Sequence, residues 1–370
     1  AVLRRRSLSG PDDTALAEQA LEAVQAIVRV RAREEVRASL ADCLDGIDPE
    51  RTASILTDAT DAVLGGALTV ATGLVIARRE AVAGGLGADG CWEAALARHA
   101  VVAMGRLGGR EIGYASDADV LFVHEARDGA DDAAAAQEAE AVAKQVVGLL
   151  ASARPHPLEV DSDLRPEGRQ GVMSRSLAAY GEYYGRWAAL WERQALLRAR
   201  ACAGDRELGG RFEELINPLR WAEGGLSTQD LREIRRIKAR VETERLPRGI
   251  NPVRHLKLGP GGLSDVEWSA QVLQLAHAGQ ITGLRTTSTI AALQAAVQGG
   301  LLSADDGGVL VAAWILASRL RCAIVLGTGR ASGPRSQVLP VQIREIRLVG
   351  RLIGLGSGRE RELEDIYRRS

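Results

Sequence analysis

The sequence predicts a predominantly helical α+β protein, and three observations carry that prediction. Apolar residues recur at helical spacing through the N-terminal segment, residues 1–95, and again through the C-terminal segment, residues 216–370. Between them, in residues 96–215, the short apolar runs Ala100–Met104 and Val120–Val123 have a strand-like make-up. The stretch joining those runs, RLGGREIGYASDAD, is too polar and glycine-rich to be a core element. The chain therefore reads as helices, a compact α/β insert and helices again, in those three segments and with no internal repeat.

The elements follow in order. Leu16, Ala20, Val24, Ile27 and Val28 fall at helical spacing within residues 13–45, with charges between them. Asp48 then Pro49 is a start signal, an N-cap acid followed by proline at the first helical position. A second helix is expected from Pro49 into the early eighties. Its uncharged run Ala62–Ala77 is shorter than the roughly 20 residues a bilayer requires, so it reads as a buried helix. Gly84–Gly90 breaks the pattern, and Trp92–His99 reads as one more helix. Residues 131–153 form a clear helix, and Leu158–Leu164 alternates as a third strand. From Gly171–Val172 onward the pattern is helical, with breaks near Pro218, Pro247 and Gly259–Gly262.

Composition excludes several classes. With 46% hydrophobic residues the chain is not intrinsically disordered. A net charge of −1, from 47 basic and 48 acidic residues, lacks the positive excess of a nucleic-acid coat, and no nucleic-acid or membrane partner is expected. Cys43, Cys91, Cys202 and Cys322 are scattered, which argues against a zinc site or disulfide framework and fits a reducing cytoplasm. The five histidines are equally dispersed, and His124 reads as a strand-end residue. The chain opens AVLRRRSLSGPDD, with no apolar signal segment and no initiator Met, as a fragment of a longer protein would.

One constellation carries chemistry. Asp117 and Asp119 lie at i and i+2 at the mouth of the second strand, so alternation puts both carboxylates on one face while Ala118 and Val120 face the core. Two acids so close repel unless a cation lies between them, which suggests a Mg²⁺ site. Gly108 and Gly109, in the preceding turn, would let backbone N–H groups approach a phosphate without a Cβ in the way. A third acid, Asp161, arrives in Leu158-Glu159-Val160-Asp161, sharing a face with Glu159, and Arg165 follows with a guanidinium suited to a phosphate oxygen. Each piece alone is common at strand ends and turns. Together they supply a phosphate cradle and three carboxylates for two Mg²⁺ ions, suited to in-line attack on a nucleoside triphosphate. The G-x-G-x-x-G and G-x-x-x-x-G-K-[ST] motifs are absent.

These residues carry a family resemblance. Val101–Glu125, VVAMGRLGGREIGYASDADVLFVHE, is similar to the nucleotidyltransferase signature of the glutamine synthetase adenylyltransferase family. Val160–Gly171, Trp191–Arg200 and Lys257–Trp268 resemble further stretches of that family, so the likeness covers about residues 25 to 320. It implies a small mixed-sheet nucleotidyltransferase core flanked by helical domains. It also implies Mg²⁺-dependent transfer of AMP from ATP to a tyrosine of glutamine synthetase, with Asp117, Asp119 and Asp161 as catalytic, metal-binding carboxylates. Gly108, Gly109 and Ser116 would lie around the triphosphate, and Arg165 beside it. Ile112-Gly113-Tyr114-x-Ser116-Asp117 resembles the C-terminal, adenylylating half of the family's two-half enzymes, which leaves the AMP-removing half outside this chain.

Two alternatives stay open: phosphorolytic deadenylylation at the same site, and a non-catalytic helical module that binds glutamine synthetase or the PII signalling protein. The sequence departs from the family pattern at Asp163, a fourth acid, and over Ile324–Ser370.

Three further features have two readings each. Tyr180, Tyr183, Tyr184, Trp187 and Trp191 form one helical stripe, read first as core packing and second as an adenine platform at Tyr180 or Tyr183. Arg232, Arg235, Arg236, Lys238 and Arg240 read first as a solvated face, then as a dock for acidic glutamine synthetase or a signalling protein. Lys257, Asp265 and Glu267 surround a Gly-rich break, as a turn and N-cap cluster or as part of the active-site cleft.

Overall fold

The computed structural model describes residues 13–82, 94–333, 335–356 and 358–369. The Gly84–Gly90 break, Cys91, Trp92 and residues 1–12 therefore lie outside the described residues. Two long helices, α1 (Asp13–Asp45) and α2 (Pro49–Val82), form an N-terminal hairpin. The start signal acts as expected: the Asp48 carboxylate accepts from the Glu50 and Arg51 amides at 3.1 and 3.3 Å. A Cβ at Gly66 would stand 2.7 Å from Ile27 Cδ1, so glycine there sets how closely the two helices approach. By length and composition alone α2 could cross a bilayer, but 61% of its most apolar window is packed inside the fold. A later helix, residues 304–328, passes the same test with 44% of its window buried.

Among the described residues five strands form a mixed sheet: β1 (Ala97–Ala103), β2 (Ala118–Ala126), β3 (Val160–Asp161), β4 (Ser174–Ser176) and β5 (Arg200–Gly204). The order is β3-β2-β1-β5, with β4 also on β2. β1 runs antiparallel to β2 and β5, while β3 and β4 lie parallel to β2. Strand alternation divides the core. Val101, Ala103, Val120 and Phe122 pack against α1, α2 and the helix α4 (Asp132–Ser152), which follows the short α3 (Gly105–Gly108). Val102, Leu121 and Val123 pack on the other face against α5 (Leu177–Trp187), α6 (Leu190–Leu196) and α7 (Arg206–Arg220).

The remaining helices are α8 (Thr228–Arg245), α9 (Leu263–His277), α10 (Thr289–Gln298), α11 (Ala304–Thr328), α12 (Ile343–Leu352) and α13 (Leu363–Arg369). Their buried residues, among them Leu263, Trp314, Leu320 and Val349, belong to the same apolar cluster as Val101 and Leu64. One core thus threads the hairpin, the sheet and the C-terminal helices.

Several local expectations are corrected. Residues 97–99, expected to end a helix, are the start of β1. That strand is central and covered on both faces, so its burial does not alternate and its period is not diagnostic. The expected strand Leu158–Leu164 shrinks to Val160–Asp161, because the Asp161 carboxylate accepts from the Asp163 amide at 2.7 Å and turns the chain. β4 and β5, expected as helix, are short and lack β-branched residues. β5 is a strand because its backbone pairs with β1. Pro218 lies in the last turn of α7, which continues to Arg220. The aromatic stripe breaks after Tyr184: Tyr180 and Tyr184 are buried, whereas Trp187 is 70% exposed and Trp191 sits on α6 at 41%.

Candidate active site

Met104 follows β1, and its amide donates to the Asp119 carbonyl at 2.8 Å, which locks the end of β1 to the start of β2. Ala118 and Asp119 pair in parallel register with Val160 and Asp161, so two of the three acids face each other across neighbouring strands. Asp117 lies just before β2, and alternation aims it with Asp119 away from the face that Ala118 buries. One carboxylate oxygen each from Asp117, Asp119 and Asp161 lies within 4.8 Å of the others. Asp117 is exposed and the other two are half-buried. Burial, then the Asp117 and Asp161 carboxylates, push the Asp119 carboxyl up to about 7, and Lys257 acts in the opposite direction. Oxygen-only donors that repel one another are what a hard divalent cation requires. Glu159, expected on the same face, is exposed and outside the cluster; its carbonyl accepts from the Ala118 amide instead.

The glycines have a different job from the one read in the sequence. The Gly108 and Gly109 amides donate to the Met104 and Gly105 carbonyls, so both are engaged within the α3 turn. A Cβ on Gly108 would stand 1.8 Å from the Arg198 carbonyl oxygen, so the missing side chain admits the protein's own backbone. The glycine that faces the carboxylates is Gly105. Its φ is +51°, and a Cβ there would meet Asp119 Oδ2 at 2.2 Å. Sequence reasoning passed over Gly105; its signal was a glycine directly after a strand, at the entry to the Gly-Gly turn.

Ser116 and Arg165 also make local contacts. The Ser116 hydroxyl accepts from the Gly113 amide at 3.1 Å and steadies the loop before Asp117. Arg165 is buried, with Nε donating to the Gly171 carbonyl at 3.0 Å and Nη1 to the Ser162 carbonyl at 2.9 Å. Two of its nitrogens thus brace the loop that follows Asp161. Asp163 pairs with Arg169 at 2.7 Å, so the fourth acid is neutralised locally.

The helical flanks hold this loop in place. Tyr114 Oη donates to the buried Asp42 carboxylate at 2.8 Å, as does Thr52 Oγ1. Arg110 reaches Asp58 at 2.7 Å, and Arg200 spans Asp61 and the Leu107 carbonyl. From the other side, Glu111 accepts from the Thr289 amide at 2.6 Å, Thr289 Oγ1 at 2.9 Å and Arg198 Nη1 at 2.5 Å. A groove of about 1180 Å³ lined by Arg200, Glu213, Asn217, Trp221 and Arg285 contains none of the three carboxylates. The donor set, not cavity size, marks the site.

Comparison with known proteins agrees with this layout. The family model described as glutamate-ammonia ligase adenylyltransferase matches residues 11–215. The one described as GlnD PII-uridylyltransferase matches residues 233–369, which extends the likeness through the C-terminal end that the sequence reading had set apart. A protein of Streptomyces coelicolor named bifunctional glutamine synthetase adenylyltransferase/adenylyl-removing enzyme is 48% identical over 360 residues, 96% of this chain and 35% of its own length. Identically named proteins of Nocardia farcinica and Cutibacterium acnes are 47% and 43% identical, over 84% and 94% of this chain and 30% and 33% of theirs. The chain spans about a third of the length of the curated relatives it matches. On the strength of the match over residues 11–215 and of these relatives, the chain belongs to the glutamate-ammonia ligase adenylyltransferase family.

Proposed function

We propose that the chain transfers AMP from ATP to a tyrosine hydroxyl of glutamine synthetase, releasing pyrophosphate, with Mg²⁺ held by Asp117, Asp119 and Asp161. The carrying observation is the convergence of three carboxylate oxygens within 4.8 Å, one of them on a carboxyl raised to about 7. When bound, Mg²⁺ neutralises triphosphate charge and acidifies the attacking hydroxyl. Asp161, on the far strand, is the carboxylate assigned to the incoming tyrosine and accepts its proton. Gly105, lacking a Cβ, admits the Asp119 carboxylate against the turn, with the Ser116 hydroxyl steadying the loop before Asp117. Gly108 and Gly109 act behind this turn by letting it pack on the Arg198 backbone. Arg165 acts by bracing the Asp161 loop, and Tyr114, Arg110 and Glu111 hold the Asp117 loop in register.

Transfer rather than removal of AMP is favoured by Ile112–Asp117, which resembles the adenylylating half of the family. The uridylyltransferase match over residues 233–369 supports PII as a regulator. The exposed Arg232, Arg235, Arg236 and Arg240 of α8 offer it an acidic-partner surface. Free thiols at Cys43, Cys202 and Cys322 suit a reducing cytoplasm.

The test is label transfer from ATP carrying a labelled α-phosphate to glutamine synthetase in Mg²⁺, for the wild type and Asp117→Asn. Transfer is expected only from the wild type. Transfer that survives the substitution removes the metal assignment. Phosphate-driven release of AMP from modified synthetase, without forward transfer, selects the deadenylylating reading.

A further inference from the structure

The aromatic stripe of α5 ends in side chains that neither the core nor the triad uses. Tyr180 and Tyr184 turn inward, but Trp187 is 70% exposed and Trp191, four residues on, 41%. Among the described residues no other aromatic side chain is exposed. Trp187 also heads a groove of about 520 Å³, whose walls include Tyr183 and Arg186 of α5, Arg175 of β4 and Glu167 of the segment before β4.

The walls are fixed. The Arg175 guanidinium lies over the Tyr183 ring at 5.5 Å, and Tyr184 meets the same ring edge-on at 5.5 Å. Arg175 also pairs with Glu167 at 2.8 Å. One face of Tyr183 is thus taken by the protein itself, and Trp187 is the ring left open to a ligand. Glu182 and Arg186 line the groove too, and among the described residues neither makes a hydrogen bond or an ion pair within 4.0 Å.

Strand register places this groove relative to the triad. One edge of β2 carries β3 and then β4, both parallel to it, with Asp161 opposite Asp119 and Arg175 opposite Val123. Four residues of strand separate the two pairs, roughly 13 Å. Leu121 and Val123 pack under α5, so alternation puts Asp119, Asp161 and Arg175 on that same face. Residues 162–173 run from the triad to the groove, and Arg165 braces them through the Ser162 and Gly171 carbonyls. The groove therefore stands at a set offset from Asp161.

We propose that this groove docks the segment of the acceptor protein that carries the target tyrosine, with an apolar side chain of that segment seated on Trp187. The assignment rests on the reading of the triad as a nucleotidyl-transfer site. With the tyrosine hydroxyl beside Asp161, about four to six residues of extended chain reach the groove. An open Trp framed by Arg and Tyr is the composition that concentrates binding energy in protein interfaces, and the unpaired Glu182 and Arg186 supply the polar rim. Binding remote from the reacting atoms is what positions one tyrosine of a protein for attack.

The experiment is steady-state AMP transfer by the full chain with glutamine synthetase and MgATP each varied, alongside calorimetric titration with MgATP, for the wild type, Trp187→Ala, Trp187→Glu and Trp187→Phe. Loss of the anchor in Trp187→Ala is expected to raise KM for the synthetase by about ten- to a hundred-fold. The KM and calorimetric affinity for ATP should stay within about two-fold of the wild type. Trp187→Glu should lose at least as much as Trp187→Ala, and Trp187→Phe should recover most of the loss. Because Trp187 is exposed, melting temperatures should match, and a variant that melts early is replaced in the comparison by another of the three. An unchanged KM for the synthetase in folded Trp187→Ala and Trp187→Glu overturns the docking assignment and leaves the triad's reading standing. A loss that falls on ATP instead gives the groove to the nucleotide and also overturns it. A wild type that transfers no AMP overturns both.

Discussion

Two clusters of charge flank one short loop and are built in opposite ways. At Glu111 every charge has a partner: the carboxylate accepts from Arg198, the Thr289 amide and the Thr289 hydroxyl, and both charged side chains are 6% exposed. At Asp117, Asp119 and Asp161 three carboxylates converge, among the described residues with no hydrogen-bonded cation, and one of them is pushed up to about 7. The first arrangement ties the sheet to the C-terminal helices. The second keeps like charges together instead of neutralising them, and the proposed Mg²⁺ assignment rests on that difference.

The largest effects should separate the two clusters. Asp117→Asn or Asp161→Asn should lower AMP transfer by about a thousand-fold, near 4 kcal/mol of transition-state stabilisation, with the melting temperature almost unchanged. A loss of fold that tracks the loss of transfer would erase the distinction. Arg198→Met should do the reverse, leaving Glu111 buried without its counter-charge and costing about 3–5 kcal/mol in urea unfolding. A midpoint equal to the wild type's would show that the knot does not hold the halves together.

Neutral buried groups give a third case. His99 and His124 sit opposite each other on β1 and β2, and burial pulls both down to about 4. As pH falls, the unfolded chain takes up protons near its ordinary histidine value of about 6.5, before the folded chain does. Stability is therefore full above about 6.5 and is lost towards pH 4, by about 3 kcal/mol for one such group. Urea midpoints that stay flat between pH 7.5 and 4.5 would refute this.

Gly108→Ala tests the seam between the clusters. The added methyl meets the Arg198 carbonyl, so a destabilisation of about 1–3 kcal/mol is expected by thermal melting. The smallest effect belongs to the triad itself. Without divalent ions, Asp119→Asn should stabilise the chain by on the order of 1 kcal/mol by removing a repelled, half-buried carboxylate. Mg²⁺ should raise the melting temperature of the wild type more than that of the variant. Equal Mg²⁺ shifts would detach the cation from this carboxylate.

Much of the site was legible along the chain because its signal is local. Asp117 and Asp119 share a face through strand period alone, and Asp48-Pro49 announced α2 through its own cap. Gly108 and Gly109 misled because a glycine's sequence context shows that something approaches closely and not what approaches. Gly105 was missed because its positive φ and its closeness to Asp119 exist only once β1 and β2 are paired. β5 was read as helix because RACAG carries no strand propensity, and only its partner β1 makes it a strand.

What the sequence determined by itself is what depends on near neighbours: the helical periods, the caps, the shared face of two acids and, through local motifs, the family. What only the tertiary structure decided is which distant groups meet. Asp161 joins Asp119 through a two-residue parallel pairing, and Arg198 links Glu111 to Glu267. The physical reason is range. Backbone propensity and side-chain alternation act over a few residues, whereas burial, pairing and unscreened charge act through space and leave no fixed spacing to read.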